Sequence, residues 1–313
     1  MAETIDVINL FRFPGTSTLA DLPVPGHFRL HEVARNPGED RDRKLAEIGA
    51  SVRAIFTGTG GIVDAAMIEK LPNLELISVY SAGLDPIDVA AAEARGIVVS
   101  NNSPALADSV AELAMALLMA LSRDIVGADA YVRDLKWLEK RYRPGHLLRD
   151  RRMGIVGLGH IGSGVARRAE AFGMEIAYNG RREQPDKPYR YFASLEEMAE
   201  WAEVLMLTCP GGKETHHIID AGVIDALGPD GWIINVARGT VIDEAAMIAA
   251  LNEGRLGGAG LDVFEEEPKV PQALLESDRV VLSPHQGSST EEITKYRVAH
   301  FVGEMVKHFE KRA

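Results

Sequence analysis

The stretch Met153-Gly-Ile-Val-Gly-Leu-Gly-His-Ile-Gly162 carries the most specific chemistry in the chain. A short apolar run ends in Gly157-x-Gly159-x-x-Gly162, a helix-like pattern covers 163–173, and a second strand-like run, Glu175-Ile-Ala-Tyr178, follows. This is the strand–turn–helix–strand order of a dinucleotide-binding unit. Gly157 permits the tight turn, Gly159 lets the backbone approach a pyrophosphate, and Gly162 lets helix and strand pack closely. The helix start presents unpaired N–H groups and a partial positive charge to that pyrophosphate. His160 and Ile161 lie in the same turn and are read with it as cofactor contacts. The plain alternative, a glycine-rich turn of an unrelated α/β protein, does not require the two flanking apolar strands.

The next residues speak to which dinucleotide. The second strand runs into Tyr178-Asn179-Gly180-Arg181-Arg182. A site that holds a free ribose 2′-OH places Asp or Glu about 20 residues past the glycine loop. Here that position is neutral Asn179, which does not repel a 2′-phosphate. Arg181 and Arg182 follow, and a guanidinium fork suits a phosphate dianion. Gly180 leaves room for it. The expectation is NADPH in preference to NADH; the bland reading of the two arginines is a pair of solvated loop charges.

The elements that must position this loop read as two α/β units. Strand-like runs begin at Asp6, Phe28, Ala54, Leu76 and Ile97, with helical patterns over 41–49 and 64–71 between them. Alternating strands and helices imply a parallel sheet. Asn101-Asn-Ser-Pro104 breaks the pattern, and 109–121 is an apolar helix, read as a buried core element. The basic stretch 131–152, with Trp137 and Tyr142 interleaved, reads as a solvated arm, with a phosphate-binding patch as the alternative. Further strands are expected at 204–208, 232–236, 258–262 and 280–283, with helices over 194–201, 244–252 and 290–308. The last helix is expected to cross back onto the first unit. The expected fold is therefore α/β, two Rossmann-like domains with parallel sheets. Residues 1–101 and 287–313 form a discontinuous substrate-binding (catalytic) domain, and 102–286 an inserted dinucleotide-binding domain.

A chain of 313 residues supports two cores, and 46% hydrophobic with 26% charged residues is the make-up of a globular protein. A net charge of −12 argues against nucleic-acid and anionic-membrane binding. The first residues show neither the basic nor the apolar region of a signal peptide, and the helix over 109–121 is too short to span a bilayer. Cys209 is the sole cysteine, which excludes intrachain disulfides; a reducing cytoplasm is the expected location. No metal site is expected.

Four ordered segments now accumulate: the glycine loop, Asn235-Val-Ala-Arg-Gly239, Leu261-Asp-Val-Phe-Glu-Glu-Glu-Pro268 and Ser283-Pro-His-Gln-Gly-Ser288. With Ser81-Ala-Gly-Leu-Asp85 and Ser109-Val-Ala-Glu112, the chain resembles the D-isomer-specific 2-hydroxyacid dehydrogenases over nearly its whole length. Within that family it is similar to the NADPH-dependent glyoxylate/hydroxypyruvate reductases and to the hydroxyphenylpyruvate reductases. The resemblance implies a catalytic Arg, Glu and His, which fall on Arg238, on Glu267 directly before Pro268, and on His285. Where the family usually has an aliphatic residue after the histidine, this chain has Gln286, which bears on substrate shape more than on catalysis.

The chemistry fits these residue types. Reduction of a 2-keto acid needs a hydride on one face of the carbonyl and a proton on its oxygen. The nicotinamide brings the hydride. Histidine is the side chain best suited to donate a proton near neutrality, and a carboxylate beside it favours the charged ring and fixes its tautomer. The substrate carboxylate and the polarised carbonyl call for a planar, permanently charged fork, which Arg238 supplies.

The resemblance also places Cys209, Pro210 and Thr215 along the cofactor, with Val236 and Ala237 beside them, and has Asp262 accept a hydrogen bond from the nicotinamide carboxamide. Cys209 is read as a wall residue, not a nucleophile. Backbone N–H groups around Gly60 and Gly61, and around Ser81, Ala82 and Gly83, are expected to meet the substrate carboxylate, because small residues permit close approach. The implied partner is a small 2-keto acid and the implied assembly a homodimer. Two rival readings share the scaffold. One is a non-catalytic nucleotide-sensing protein, which retention of Arg238, Glu267 and His285 disfavours. The other is a formate dehydrogenase, whose Gln–His arrangement is not evident.

Overall fold

Apolar runs long enough for buried strands, alternating with helical segments, build two separate parallel sheets. The computed structural model describes residues 4–10, 25–58, 60–81, 83–101 and 103–310. In the first unit the order is β1 (Ile5–Asn9), β2 (Phe28–Glu32), α1 (Glu39–Ile48), β3 (Val52–Thr57), α2 (Ala65–Glu69), β4 (Leu76–Val79), α3 (Val89–Ala94) and β5 (Val98–Asn101). The sheet order is β2-β1-β3-β4-β5, every pairing parallel. Asp64 and Asp88 cap α2 and α3, each accepting a backbone N–H from the first turn, which is why these short helices start where they do.

Then comes α4 (Ser103–Arg123). The expected break at Pro104 is instead a helix start: proline lacks an N–H, and first-turn N–H groups have no intrahelical partner anyway. Val110, Ala111, Ala114, Leu117 and Leu118 of α4 are buried, as an apolar core helix requires.

The second unit continues with α5 (Ile125–Arg133), β6 (Arg152–Val156), α6 (His160–Ala171), β7 (Glu175–Asn179), β8 (Arg190–Phe192), α7 (Leu195–Trp201), β9 (Val204–Leu207), α8 (Ala221–Leu227), β10 (Trp232–Asn235), α9 (Glu244–Glu253), β11 (Gly258–Leu261), α10 (Gln272–Leu275) and β12 (Val280–Leu282). Its sheet runs β12-β11-β10-β9-β6-β7-β8, again all parallel. Strands β9 and β10 are buried on both faces, as helices on either side of a parallel sheet demand. One layer packs Leu205, Leu207, Ile233 and Ala259 against Met198, Ile224, Met247 and Leu251. On the other face Gly258 and Gly260 of β11 admit Leu121 and Leu117 of α4 to van der Waals contact. From β6 the chain builds outward to β8, then returns to place β9 on the other side of β6. Ligands of such sheets bind at that reversal, beyond the carboxyl ends of the strands.

The chain closes with α11 (Glu291–Glu310), whose Met305 and Phe309 pack on Val7, Ala54, Phe56 and Leu76 of the first sheet. The first unit is therefore discontinuous. It comprises Met1–Leu106 with Ser289–Ala313, and Ala107–Ser288 form the inserted second unit. In the basic arm, Arg133 pairs with Asp129 at 2.7 Å, Lys136 with Asp134 at 2.9 Å and Arg143 with Asp124 at 2.6 Å. Three of its cations thus face local carboxylates.

One buried charge in the first unit makes stability depend on pH. Asp6 of β1 is 2% exposed and accepts from Arg29 at 2.5 and 2.7 Å and from His31 at 2.8 Å. The hydrogen bonds from Arg29 lead in holding its carboxyl far below the ordinary value of 3.8. A depressed carboxylate contributes stability that is complete above 3.8 and is lost as pH falls towards the folded value. Asp6→Asn is expected to cost on the order of 1–3 kcal/mol at neutral pH, the scale of a hydrogen bond to a charged group. In urea unfolding, the gap between wild type and variant should narrow below pH 3.8. A gap independent of pH would refute this assignment.

Candidate active site

The glycine loop follows β6. Gly157 has φ +93°, and a Cβ there would come within 2.7 Å of Cys209 Cα. A Cβ on Gly162 would lie 2.4 Å from the Gly157 carbonyl oxygen. Both positions therefore exclude larger residues, one by conformation and contact, the other by contact alone. Gly159 is different: it precedes the first residue of α6, is exposed, and among the described residues has nothing within 4 Å of its missing side chain. The peptide is bare at the helix start, as the close approach of a pyrophosphate would require. His160 beside it is exposed and Ile161 half-buried. Thr208 donates to the Gly157 carbonyl at 2.7 Å and pins the turn.

The loop after β7 is held against this turn. Gln184 donates through Nε2 to the Leu158 carbonyl at 3.1 Å, and its own N–H bonds Tyr178 Oη at 2.7 Å. Arg181 and Arg182 are exposed in that loop, and Gly180 has open space on its side-chain side. Asn179 turns its amide inward, donating to the carbonyls of Phe192 at 2.9 Å and Ala193 at 3.3 Å. The bare peptide at Gly159, the space at Gly180 and the neutral residue ending β7 all fit a dinucleotide. Cys209 follows β9; its burial pushes the thiol up to about 11, so almost no thiolate exists near neutrality. Pro210 is exposed, and its carbonyl accepts from the half-buried Thr215 hydroxyl at 2.8 Å.

The loop after β10 carries Arg238. Asn235 shapes it: its Oδ1 accepts from Ala237 N–H at 3.0 Å and its Nδ2 donates to the Arg238 carbonyl at 2.9 Å. Val236 and Ala237 are buried, while Arg238 is half-buried and donates through Nη1 to the Ala237 carbonyl at 2.6 Å. Gly239 lies so close to the turn after β11 that a Cβ would fall 1.9 Å from Phe264 C.

That turn carries Glu267, and the loop after β12 carries His285. Glu267 Oε2 stands 2.7 Å from His285 Nδ1, and Oε1 accepts the Phe264 N–H at 3.1 Å. An ionised carboxylate only accepts, so Nδ1 donates and Nε2 is left for another partner. His285 is 38% exposed and adopts φ +51°, a left-handed conformation that is costly for a side-chain-bearing residue. Asp262 holds it there. The Asp262 carbonyl accepts His285 N–H at 2.8 Å, and its carboxylate takes Ser283 Oγ at 2.6 Å and the N–H groups of Gln286 and Gly287 at 2.9 Å each. Asp262 is 2% exposed. Its first role in the fold is thus to clamp the histidine loop, which the sequence reading did not anticipate. The Gln286 side chain is exposed.

The profile of the D-isomer specific 2-hydroxyacid dehydrogenase NAD binding domain matches residues 115–287. The chain belongs to the D-isomer-specific 2-hydroxyacid dehydrogenase family. It is 41% identical over 305 residues to a hydroxyphenylpyruvate reductase of Plectranthus scutellarioides, covering 97% of each chain. It is 42% identical over 259 residues to a glyoxylate/hydroxypyruvate reductase of Arabidopsis thaliana, covering 83% of each. Among solved structures it superposes on an NADPH-dependent glyoxylate/hydroxypyruvate reductase from Sinorhizobium meliloti, crystallised with NADP and malonate. That match has a TM-score of 0.84 and 34% identity, covering 96% of this chain and 92% of the other.

As a member of this family the chain is an oxidoreductase that uses a nicotinamide cofactor to interconvert a 2-keto acid and a 2-hydroxy acid. The relatives named above are reductases, which favours an enzyme over a non-catalytic nucleotide sensor. Within the second unit of this dehydrogenase, the glycine loop, the Arg181–Arg182 loop, Cys209, Arg238, Asp262 and His285 all follow the carboxyl ends of strands in one sheet. In the first unit the loops after β3 and β4 carry the expected small residues. Gly60 has φ +93°, and a Cβ on Gly61 would meet Thr57 Oγ1 at 2.3 Å. Ser81 Oγ donates to the Gly83 carbonyl at 3.1 Å; Ala82 lies outside the described residues. Among the described residues no helix is long and apolar enough to cross a membrane.

Proposed function

We propose that this enzyme reduces a short 2-keto acid of the glyoxylate or hydroxypyruvate type to the D-2-hydroxy acid, with NADPH as cofactor. The observation that carries the reading is the Glu267–His285 pair at 2.7 Å, oriented so that Nε2 can serve a substrate. Bound NADPH supplies the hydride. His285 protonates the carbonyl oxygen from Nε2, Glu267 holds the ring and fixes its tautomer, and Arg238 binds the substrate carboxylate and polarises the carbonyl. The unit of residues 1–101 and 287–313 serves as the substrate-binding domain, with the Gly60–Gly61 and Ser81–Gly83 loops offering N–H groups to the carboxylate. Residues 102–286 serve the dinucleotide. The names of the Arabidopsis and Sinorhizobium relatives support the small substrate. The similarity to the Plectranthus reductase favours a second reading, an aromatic keto acid.

NADPH preference rests on Asn179, Arg181 and Arg182 and on the Sinorhizobium relative solved with NADP. Changing Arg181 and Arg182 together to Ala is expected to raise the NADPH Michaelis constant roughly tenfold or more, the scale of lost charge-assisted hydrogen bonds, and the NADH constant little. Equal rises for both cofactors would sink the phosphate role. Asn179→Asp is a less direct probe, because it sets a carboxylate oxygen against the Phe192 and Ala193 carbonyls to which the amide now donates. Assays of glyoxylate, hydroxypyruvate and hydroxyphenylpyruvate with NADPH and NADH, with chiral analysis of the product, test the substrate. Faster turnover of hydroxyphenylpyruvate than of glyoxylate or hydroxypyruvate would favour the second reading, and an L-product would overturn the stereochemistry.

A homodimer is the proposed assembly. Ile125, Val126, Val132, Leu135, Trp137 and Leu138 are all more than half exposed along one segment of the second unit. A segment so apolar suits contact with a second copy. A cytoplasmic location suits a chain whose sole cysteine is buried and un-ionised.

A further inference from the structure

His216, His217 and Glu265 lie outside the groups assigned to the reaction, yet the fold brings them together. The histidines follow the short 3-10 turn Lys213–Thr215, and Glu265 sits on the turn after β11. The two imidazole rings stand 3.9 Å apart between centroids, tilted by 31°. His217 Nε2 is 2.8 Å from Glu265 Oε1. One nitrogen of each ring and one oxygen of Glu265 all lie within 4.8 Å of one another. The backbone holds this arrangement. His217 adopts φ +52°, a conformation disfavoured for a residue with a side chain, and its N–H is fixed to the Thr240 carbonyl at 2.8 Å. Glu265 N–H bonds Glu244 Oε2 at 3.3 Å, and the turn seats against the bare backbone of Gly239.

These distances suit an ion. A tetrahedral Zn2+ with nitrogen and oxygen ligands at about 2.0–2.1 Å sets its donors roughly 3.3–3.5 Å apart. The His217–Glu265 separation of 2.8 Å lies just below that range and the 4.8 Å limit above it, and the two imidazoles, now stacked with a 31° tilt, must swing apart for a nitrogen of each to face one ion. Two imidazoles and a carboxylate select Zn2+ and its transition-metal neighbours; Mg2+ and Ca2+ prefer oxygen alone. His216 is exposed and the other two are half-buried, so an ion can reach the site from solvent and keep a water in a fourth position. A simple ion pair accounts for His217 and Glu265 alone; an ion would add the neighbouring His216 as a third ligand.

We propose that His216, His217 and Glu265 form a binding site for one divalent transition-metal ion of the Zn2+ type. The ion would replace the His217–Glu265 hydrogen bond and fasten the loop after β9 to the turn that also carries Glu267. Binding does not depend on the substrate or cofactor proposed above.

The test uses the full-length chain without a histidine tag, stripped with a chelator. Calorimetric titration with Zn2+ and the visible absorption of added Co2+ should both show one ion per chain, undiminished by excess Mg2+. His216→Ala, at an exposed position where folding is not at stake, should weaken binding roughly tenfold or more, about 1.4 kcal/mol. Glu265→Gln should weaken it as well, with circular dichroism and thermal unfolding in the absence of metal confirming a folded chain. Absence of saturable binding in the wild type, or binding unchanged in both variants, would overturn the site.

Discussion

His285→Ala is expected to bind the dinucleotide as the wild type does while turning over roughly 10²–10⁴-fold more slowly, the usual loss for a positioned general acid. The two effects separate because the side chain and its backbone do different things. The imidazole contacts Glu267 through Nδ1 and is 38% exposed, so its removal leaves no core cavity. The loop itself is held by main-chain N–H groups of His285, Gln286 and Gly287 on Asp262, and these survive the substitution. Fluorescence titration of the cofactor and single-turnover reduction of the keto acid measure the two quantities independently. Turnover within threefold of wild type would remove His285 from the chemistry. A parallel loss of cofactor affinity would recast it as a structural residue of the loop.

What could be read from the chain follows sequence distance. The glycine loop was legible because it packs its information into a few consecutive residues, where spacing alone dictates the backbone. The central strands of both sheets were legible because buried parallel strands are continuous apolar runs. The short β8 was missed: three residues ending in Tyr191-Phe192, set among Pro, Lys and Arg, give too little period to detect. The start of α4 was missed because Pro104 reads as a breaker unless it occupies the first turn. Contacts between residues far apart in sequence were opaque. Asp262 gave no sign that it clamps residues 283–287, Gln184 none that it reaches Leu158, and His217 none that it meets Glu265. In each case the residue type is common on surfaces, and only the stacking of strand ends along one sheet edge brings the partners into range.

Gly239 is the residue whose importance the sequence showed as part of a motif but could not explain. Its backbone dihedrals are open to any residue, so conformational freedom is not the reason. Contact is the reason. A Cβ at 239 would stand 1.9 Å from Phe264 C, 2.0 Å from Phe264 O and 2.4 Å from Glu265 N, all main-chain atoms that cannot rotate aside. Gly239→Ala must therefore push the 264–267 turn away. Phe264 N–H holds Glu267 Oε1, so the carboxylate moves with it and loses register with His285; Arg238, one residue before the substitution, is displaced from the other side. A misplacement of about 1 Å in a reacting array can cost on the order of 10²-fold. Gly239→Ala is thus expected to lower turnover at least that far and to destabilise the fold by about 1–3 kcal/mol or more, as overpacking does. Gly26→Ala, where an added Cβ meets nothing within 4 Å among the described residues, serves as the matched control and should leave both quantities near wild type. Steady-state kinetics and thermal unfolding of the two variants decide the matter. Near-normal turnover in Gly239→Ala would mean that the turn yields without disturbing Glu267, and that the close contact at Gly239 is not what sets the geometry of the pair.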